Sequence, residues 1–330
     1  MSDRSPLLSD AGGIVDIATG YMAAKQLFAA AELGLFRALA DGPRTADDLA
    51  ATIGVPVHVA RILGDGMSAV GLVERTDGRY ANSAAAARYL TDGPSDLSPF
   101  LAFLDAVSYG HWRQFAATTR SGSHGELDVA SIDFSVLGAG ITSFHGLHAT
   151  GFADAVLPLT GVRHLLDLGG QSAGFAIAAL RSSADLRVEI LYDEGNASGA
   201  RDAVHAAGLD DRVVVRTAPT LEAVSDGSHD AVLLNHCIHR FSAEENVTIL
   251  RHARASTATG ALLLVVDFLV DDDGAERHVD AMHAAEYLVI DSTIVYPVSA
   301  VQAWMRETGW EPVEVIEIPG GPRVATARAI

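Results

Sequence analysis

Apolar residues recur at helical spacing along the first half of the chain and gather into short unbroken runs along the second. Two kinds of structure are therefore expected in one molecule. Across residues 14–39 the apolar positions Ile17, Met22, Leu27, Phe28, Ala31, Leu35 and Leu39 follow a helical period. Asp41-Gly42-Pro43 stops that helix, and Thr45 caps a short one with acids in its first turn. A longer amphipathic helix follows over 56–72 on Val59, Ile62, Leu63, Met67 and Val70. Residues 73–80 read as two strands around the turn Asp77-Gly78. Helix, short helix, helix and hairpin make a winged helix-turn-helix. The polar residues 1–13 are expected to be a frayed arm.

Over 94–160 the pattern stays helical but is interrupted by Gly122, Gly125, Gly138, Gly140 and Gly151. Aromatics and histidines concentrate there, and most of them suit a packed helical layer. Trp112, Phe144 and His148 are placed near a substrate pocket, because a layer joining two domains is a common location for one. After Gly161, strand and helix alternate. Strands are expected at 163–168, 187–192, 212–216, 229–235, 260–267, 311–318 and 323–328, with helices at 172–181, 197–207, 243–257 and 298–308. This is an α/β, doubly wound, Rossmann-like sheet, with its strands buried on both faces. Domain boundaries are expected at 1–93, 94–160 and 161–330. Residues 268–296 break the alternation and contain Asp271-Asp272-Asp273-Gly274, a solvated acidic turn without the full spacing of a calcium loop.

Composition narrows the function. The 330 residues are 49% hydrophobic, enough for a substantial core. The formal net charge of −19 repels nucleic acid and anionic membranes, so neither is an expected partner. A winged helix commonly reads DNA, but its second helix here carries only Arg61, beside Asp65 and His58. Packing or dimerisation is the expected role. One cysteine, Cys237, leaves no internal disulfide, and no secretory signal or long apolar run is present, so a soluble cytoplasmic protein is expected.

The candidate chemistry lies at strand ends. Leu165-Leu166-Asp167-Leu168-Gly169-Gly170-Gln171 is an apolar run ending in an acid and a glycine turn, placed to bring backbone N–H groups to a ligand. Asp193 ends the next strand, about 20 residues on, where an acid accepts hydrogen bonds from ribose hydroxyls. A nucleoside cofactor follows; nicotinamide, flavin and S-adenosylmethionine are not separated by this geometry. Asp193 also stands where it could cap the following helix. The fourth strand of this series ends in Asn235-His236-Cys237-Ile238-His239 and the fifth in Asp267, which suggests His239 as a general base oriented by Asp267. His236 and His283 are further substrate-site candidates. With His239 and a carboxylate they could instead hold a metal, but the spacing is loose and no metal is expected.

These motifs resemble the small-molecule O-methyltransferases that join a winged-helix dimerisation domain to a class I S-adenosylmethionine-binding domain. The likeness rests on residues 21–36, on Asp41-Gly-Pro-Arg-Thr45, on Asp167-Leu-Gly-Gly170, on Asp193 and on His239-Arg-Phe-Ser-Ala-Glu-Glu245. It implies a homodimer built through the first domain and S-adenosylmethionine held by Asp167, Gly169, Gly170, Gln171 and Asp193. It further implies that His239 deprotonates a substrate hydroxyl, which then attacks the methyl group. The chain departs from the family at Gln171 and Ala173, where the family has glycines, at Ala218-Pro219, where it has Gly-Asp, and at Arg240, where it has Asp. Those departures admit an alternative, a methyltransferase fold with lost or repurposed cofactor use that catalyses cyclisation, pericyclic rearrangement, decarboxylation or hydrolysis.

Overall fold

A computed structural model describes residues 10–125, 133–226, 228–272 and 277–330. The described residues divide into two compact units. One takes residues 10–113 and 133–144, and the other takes the described residues of 114–125 and 145–330. The helical stretch expected as a separate layer at 94–160 is thus shared between the units.

The first unit opens with helix Ala11–Glu32, capped by Asp10. Residues 11–13, expected to fray, are helical; residues 1–9 lie outside the described residues. The helix ends earlier than the apolar period suggests, because Gly34 adopts φ +78° and a new helix, Leu35–Ala38, begins there. Thr45 caps helix Ala46–Ile53 in a reciprocal capping box with Asp48, and helix Val57–Ala69 follows. Strand β1 (Arg44–Thr45), which the pattern did not reveal, adds to the hairpin of β2 (Val73–Thr76) and β3 (Arg79–Asn82). The hairpin turns at Asp77 and Gly78, both with positive φ. Arg61, the one basic residue of the second helix, pairs with Asp65.

Helix Phe134–Val156 runs unbroken through Gly138, Gly140 and Gly151. Two of those glycines are contact points. A Cβ on Gly140 would lie 2.3 Å from the Phe103 Cβ, and one on Gly151 would lie 2.5 Å from Ile318. They mark close packing, and close packing keeps a helix that glycine alone would weaken.

The second unit carries a seven-stranded sheet in the order β6-β5-β4-β7-β8-β10-β9. Its strands are β4 (His164–Leu168), β5 (Arg187–Tyr192), β6 (Val213–Thr217), β7 (His229–Asn235), β8 (Thr257–Asp267), β9 (Trp310–Glu317) and β10 (Arg323–Ala329). The first five are parallel, and β10 runs antiparallel to both its neighbours. Side chains alternate across the sheet. Leu165, Leu264 and Val266 enter one core with Phe175 and Tyr192, whereas Leu166, Leu263 and Val265 enter the other with Ile249 and Trp310. The strand order reverses between β5-β4 and β7, and the crevice at such a reversal is the ligand position of open α/β sheets.

Residues 268–296, expected to be irregular, contain helix His278–Asp291. It is anchored by buried charges. Arg277 grips Asp280 with two bonds at 2.7 and 2.9 Å, and Arg323 binds both Asp280 and Asp271. Asp271 of the acidic turn is therefore an ion-pair partner; Asp273 and Gly274 lie outside the described residues.

Candidate functional site

Three strand ends build the glycine turn. Asp167, on the same face of β4 as Leu165, is fully buried and accepts from the Tyr192 hydroxyl at 2.8 Å and from the Asn235 amide at 2.7 Å. Burial pushes its carboxyl up to about 7, against those two hydrogen bonds. Gly169 takes φ +67°, and its N–H donates to the Leu191 carbonyl of β5. Gly170 is required by proximity, since a Cβ there would lie 2.5 Å from the Asn235 amide nitrogen and 2.6 Å from the Tyr192 oxygen. Gln171 follows, half-exposed, before helix Gly174–Ser182. Asp167 thus shapes the floor of the turn from inside. Tyr192 and Asn235 complete it; the sequence offered no signal for either beyond position at a strand end.

Asp193 stands at the N-cap position of helix Glu194–Ala206, yet its side chain makes no capping bond. Both oxygens turn instead to Thr220, accepting from its N–H at 3.0 Å and from its hydroxyl at 2.9 Å. The capping role considered for Asp193 is therefore not used.

Beyond β7 the chain turns sharply. His236 adopts φ +45°, a left-handed conformation costly for a residue with a side chain, and the short turn Ile238–Arg240 follows. Asn246 holds that turn by donating to the carbonyls of Ile238 and Phe241. Arg240, placed where the family has an acid, donates from Nε to the His236 carbonyl and from Nη2 to the Gly169 carbonyl, tying this turn to the glycine turn.

His239 and Asp267 meet as expected. The His239 Nδ1 lies 2.9 and 3.0 Å from the two Asp267 oxygens. Those oxygens also accept the backbone N–H groups of Phe268 and His239. With Asp267 ionised, Nδ1 carries the proton and Nε2 keeps the lone pair. Tyr287, from helix His278–Asp291, stacks on the imidazole with centroids 4.2 Å apart.

Around this pair lies a cluster of histidines. His236 Nε2 and His148 Nδ1 are 3.0 Å apart, His145 stacks on His236 at 4.2 Å, and His283 stacks on Phe268 at 3.8 Å. Burial lowers all four: His145 to about 3, and His148, His236 and His283 below the usual imidazole value. The cluster is therefore neutral at pH 7. His236, His239 and Asp267 bring possible ligand atoms within 4.8 Å of one another, and the Asp267 oxygens accept from three N–H groups, the His239 ring and the His239 and Phe268 backbone.

The second unit thus brings together His148, His236, His239, His283 and Asp267. Trp112 and Phe144 belong to the first unit, where Phe144 stacks on Phe100 at 4.3 Å. Sequence reasoning missed Tyr287 because the helix carrying it was missed.

A glycine turn and an acid at the end of the next strand lie with a histidine–aspartate pair at the parallel strand ends, the ligand position of open α/β sheets, and comparison with known proteins narrows the class. Residues 15–92 match the O-methyltransferase dimerisation domain. The chain is 28% identical over 313 residues to the 3-hydroxy-5-methyl-1-naphthoate 3-O-methyltransferase of Streptomyces sahachiroi, covering 92% of this chain and 90% of that one. It is 29% identical to the mitomycin biosynthesis 6-O-methyltransferase of Streptomyces lavendulae, covering 78% and 77%. Among solved structures, the S-adenosylmethionine-dependent methyltransferase SibL superposes with a TM-score of 0.81 at 28% identity over 97% of this chain and 99% of SibL. Along nearly its whole length the chain is thus similar to S-adenosylmethionine-dependent O-methyltransferases, which are enzymes, and its N-terminal residues carry their dimerisation domain. These relatives are named for methyl transfer, and nothing in them supports the non-methylating alternative.

Proposed function

We propose that the protein transfers a methyl group from S-adenosylmethionine to a hydroxyl of a small natural product, with His239 as the base. The observation that carries this is the His239–Asp267 pair, fixed with Nδ1 on the carboxylate so that Nε2 is the basic nitrogen. Bound S-adenosylmethionine supplies an electrophilic methyl on a sulfonium. His239 accepts the hydroxyl proton at Nε2, and the imidazolium that forms is stabilised by Asp267, as a buried carboxylate beside a histidine does. Tyr287 covers one ring face and limits the entry of water. His236, His148 and His283 act as neutral neighbours that add no positive charge of their own beside His239.

The residues present suit the cofactor. Asp193 is half-exposed and uses one acceptor position on each oxygen, leaving one on each for ribose hydroxyls. Gly169, Gly170 and Gln171 form the turn at the methionine end, and Asp167 supports them from below. Calorimetry with S-adenosylmethionine tests the reading: micromolar binding is expected, together with transfer of label from its methyl group to a phenolic or enolic acceptor. Absence of heat up to millimolar concentration overturns it.

The first unit is proposed to build a homodimer. Ile14, Val15, Ile17, Tyr21 and Met22 of helix Ala11–Glu32 are about half or more exposed, an apolar surface that a second copy would cover. Light scattering should give twice the 34.5 kDa chain mass, and a 34.5 kDa species in dilute buffer rejects the dimer.

A further inference from the structure

We propose that Thr220 is a positioning residue for the cofactor ribose, holding the Asp193 carboxylate outward in the orientation that receives it. The proposal rests on the S-adenosylmethionine reading above. Asp193 has two competing uses. At an N-cap position with extended backbone, a carboxylate ordinarily folds back onto the first free N–H groups of its helix. Here it does not, because Thr220 offers two donors in a better arrangement, one to each oxygen, at 3.0 and 2.9 Å.

Thr220 is itself held. Pro219 fixes the backbone on one side with φ −56°, and the Ala218 N–H donates to the Tyr192 carbonyl, keeping the segment in register with the end of β5. Thr220 is 2% exposed, and its methyl lies 2.6 Å from where a Cβ on Gly169 would be. It therefore touches the glycine turn and the ribose acid together. The sequence Ala218-Pro219-Thr220, which departs from the family's Gly-Asp, supplies a clamp. Asp193 in a fixed orientation needs no reordering on binding, and that preorganisation appears directly as affinity.

The test is calorimetry of the full-length protein with S-adenosylmethionine and with S-adenosylhomocysteine, which share the adenosine. Thr220→Val keeps the shape and removes the hydroxyl donor; Thr220→Ser keeps the donor and removes the methyl. Thr220→Val should weaken both compounds about tenfold, the scale of one hydrogen bond to a charged group, while kcat at saturating cofactor stays within about twofold. Thr220→Ser should bind within about twofold of wild type. Asp193→Ala should weaken binding at least as much, and adding Thr220→Val to it should weaken binding no further. Equal affinity of wild type and Thr220→Val, or additive losses in the double variant, overturns the clamp alone. Wild type that binds neither compound overturns the clamp and the cofactor reading together. If Thr220→Val lowers the melting temperature too far to measure binding, Thr220→Ala gives the same readings without a methyl against Gly169.

Discussion

Replacing His239 by alanine is expected to lower kcat by a factor on the order of 10² to 10⁴, the range for loss of a positioned general base. Affinity for S-adenosylmethionine should stay within about twofold, because His239 contacts Asp267 and Tyr287, not the glycine turn. Asp267→Asn should have a smaller effect on kcat, about 10- to 100-fold, since it leaves the imidazole in place but removes the partner that fixes its tautomer and stabilises its cation. The two changes should not add: once the imidazole is gone, the carboxylate has nothing to orient. Steady-state kinetics with cofactor at saturation, beside calorimetry of the same variants, separates the effects. An unchanged kcat in His239→Ala removes this residue from the mechanism.

The second large effect concerns pH. His145, His148 and His236 are buried and neutral, with folded-state values below the 6.5 of an exposed imidazole, His145 at about 3. Below pH 6.5 the unfolded chain takes up protons at these positions that the folded chain refuses. Their contribution to stability is therefore intact above 6.5 and is lost as pH falls. Asp167 works the other way. Its folded value is about 7 against 3.8 unfolded, so between those limits the folded state holds the extra proton and gains stability as pH falls. The lowered imidazoles outnumber the one raised carboxyl, so the folded protein is expected to lose stability as pH falls from 6 to 5. The surroundings reinforce it, because His239, His283 and Arg240 face the cluster and each proton accepted makes the next more costly. Urea unfolding from pH 7.5 to 5 should show the slope, and His145→Phe should reduce it by one proton. A free energy flat across that range contradicts the assignment.

The sequence carried the local part of this protein. The apolar runs located all seven strands of the large sheet to within about three residues. In the inner strands such runs record burial on both faces, whereas the edge strands β6 and β9 stay partly exposed, with Val214 and Val313 facing solvent. Thr45 with Asp48, Asp77 with Gly78 and Gly169 were readable because caps, turns and positive φ are properties of a few adjacent residues. His239 with Asp267 was readable too, since parallel strands must end at one edge and both residues end strands.

Only the tertiary structure decided the rest. Helix His278–Asp291 has weak amphipathic character and is held by buried ion pairs of Arg277, Asp280 and Arg323, so its period gave no signal. Gly140 and Gly151 of Phe134–Val156 look like breakers in sequence, and only Phe103 and Ile318 packed against them show that they are contacts. That Asp193 does not cap its helix is decided by Thr220, 27 residues away, and the partner of His236 is His148, 88 residues away. A local pattern fixes which backbone conformation is favourable. The direction in which a buried polar group turns depends on the distant donors that the fold brings to it, because burial leaves it no water as an alternative.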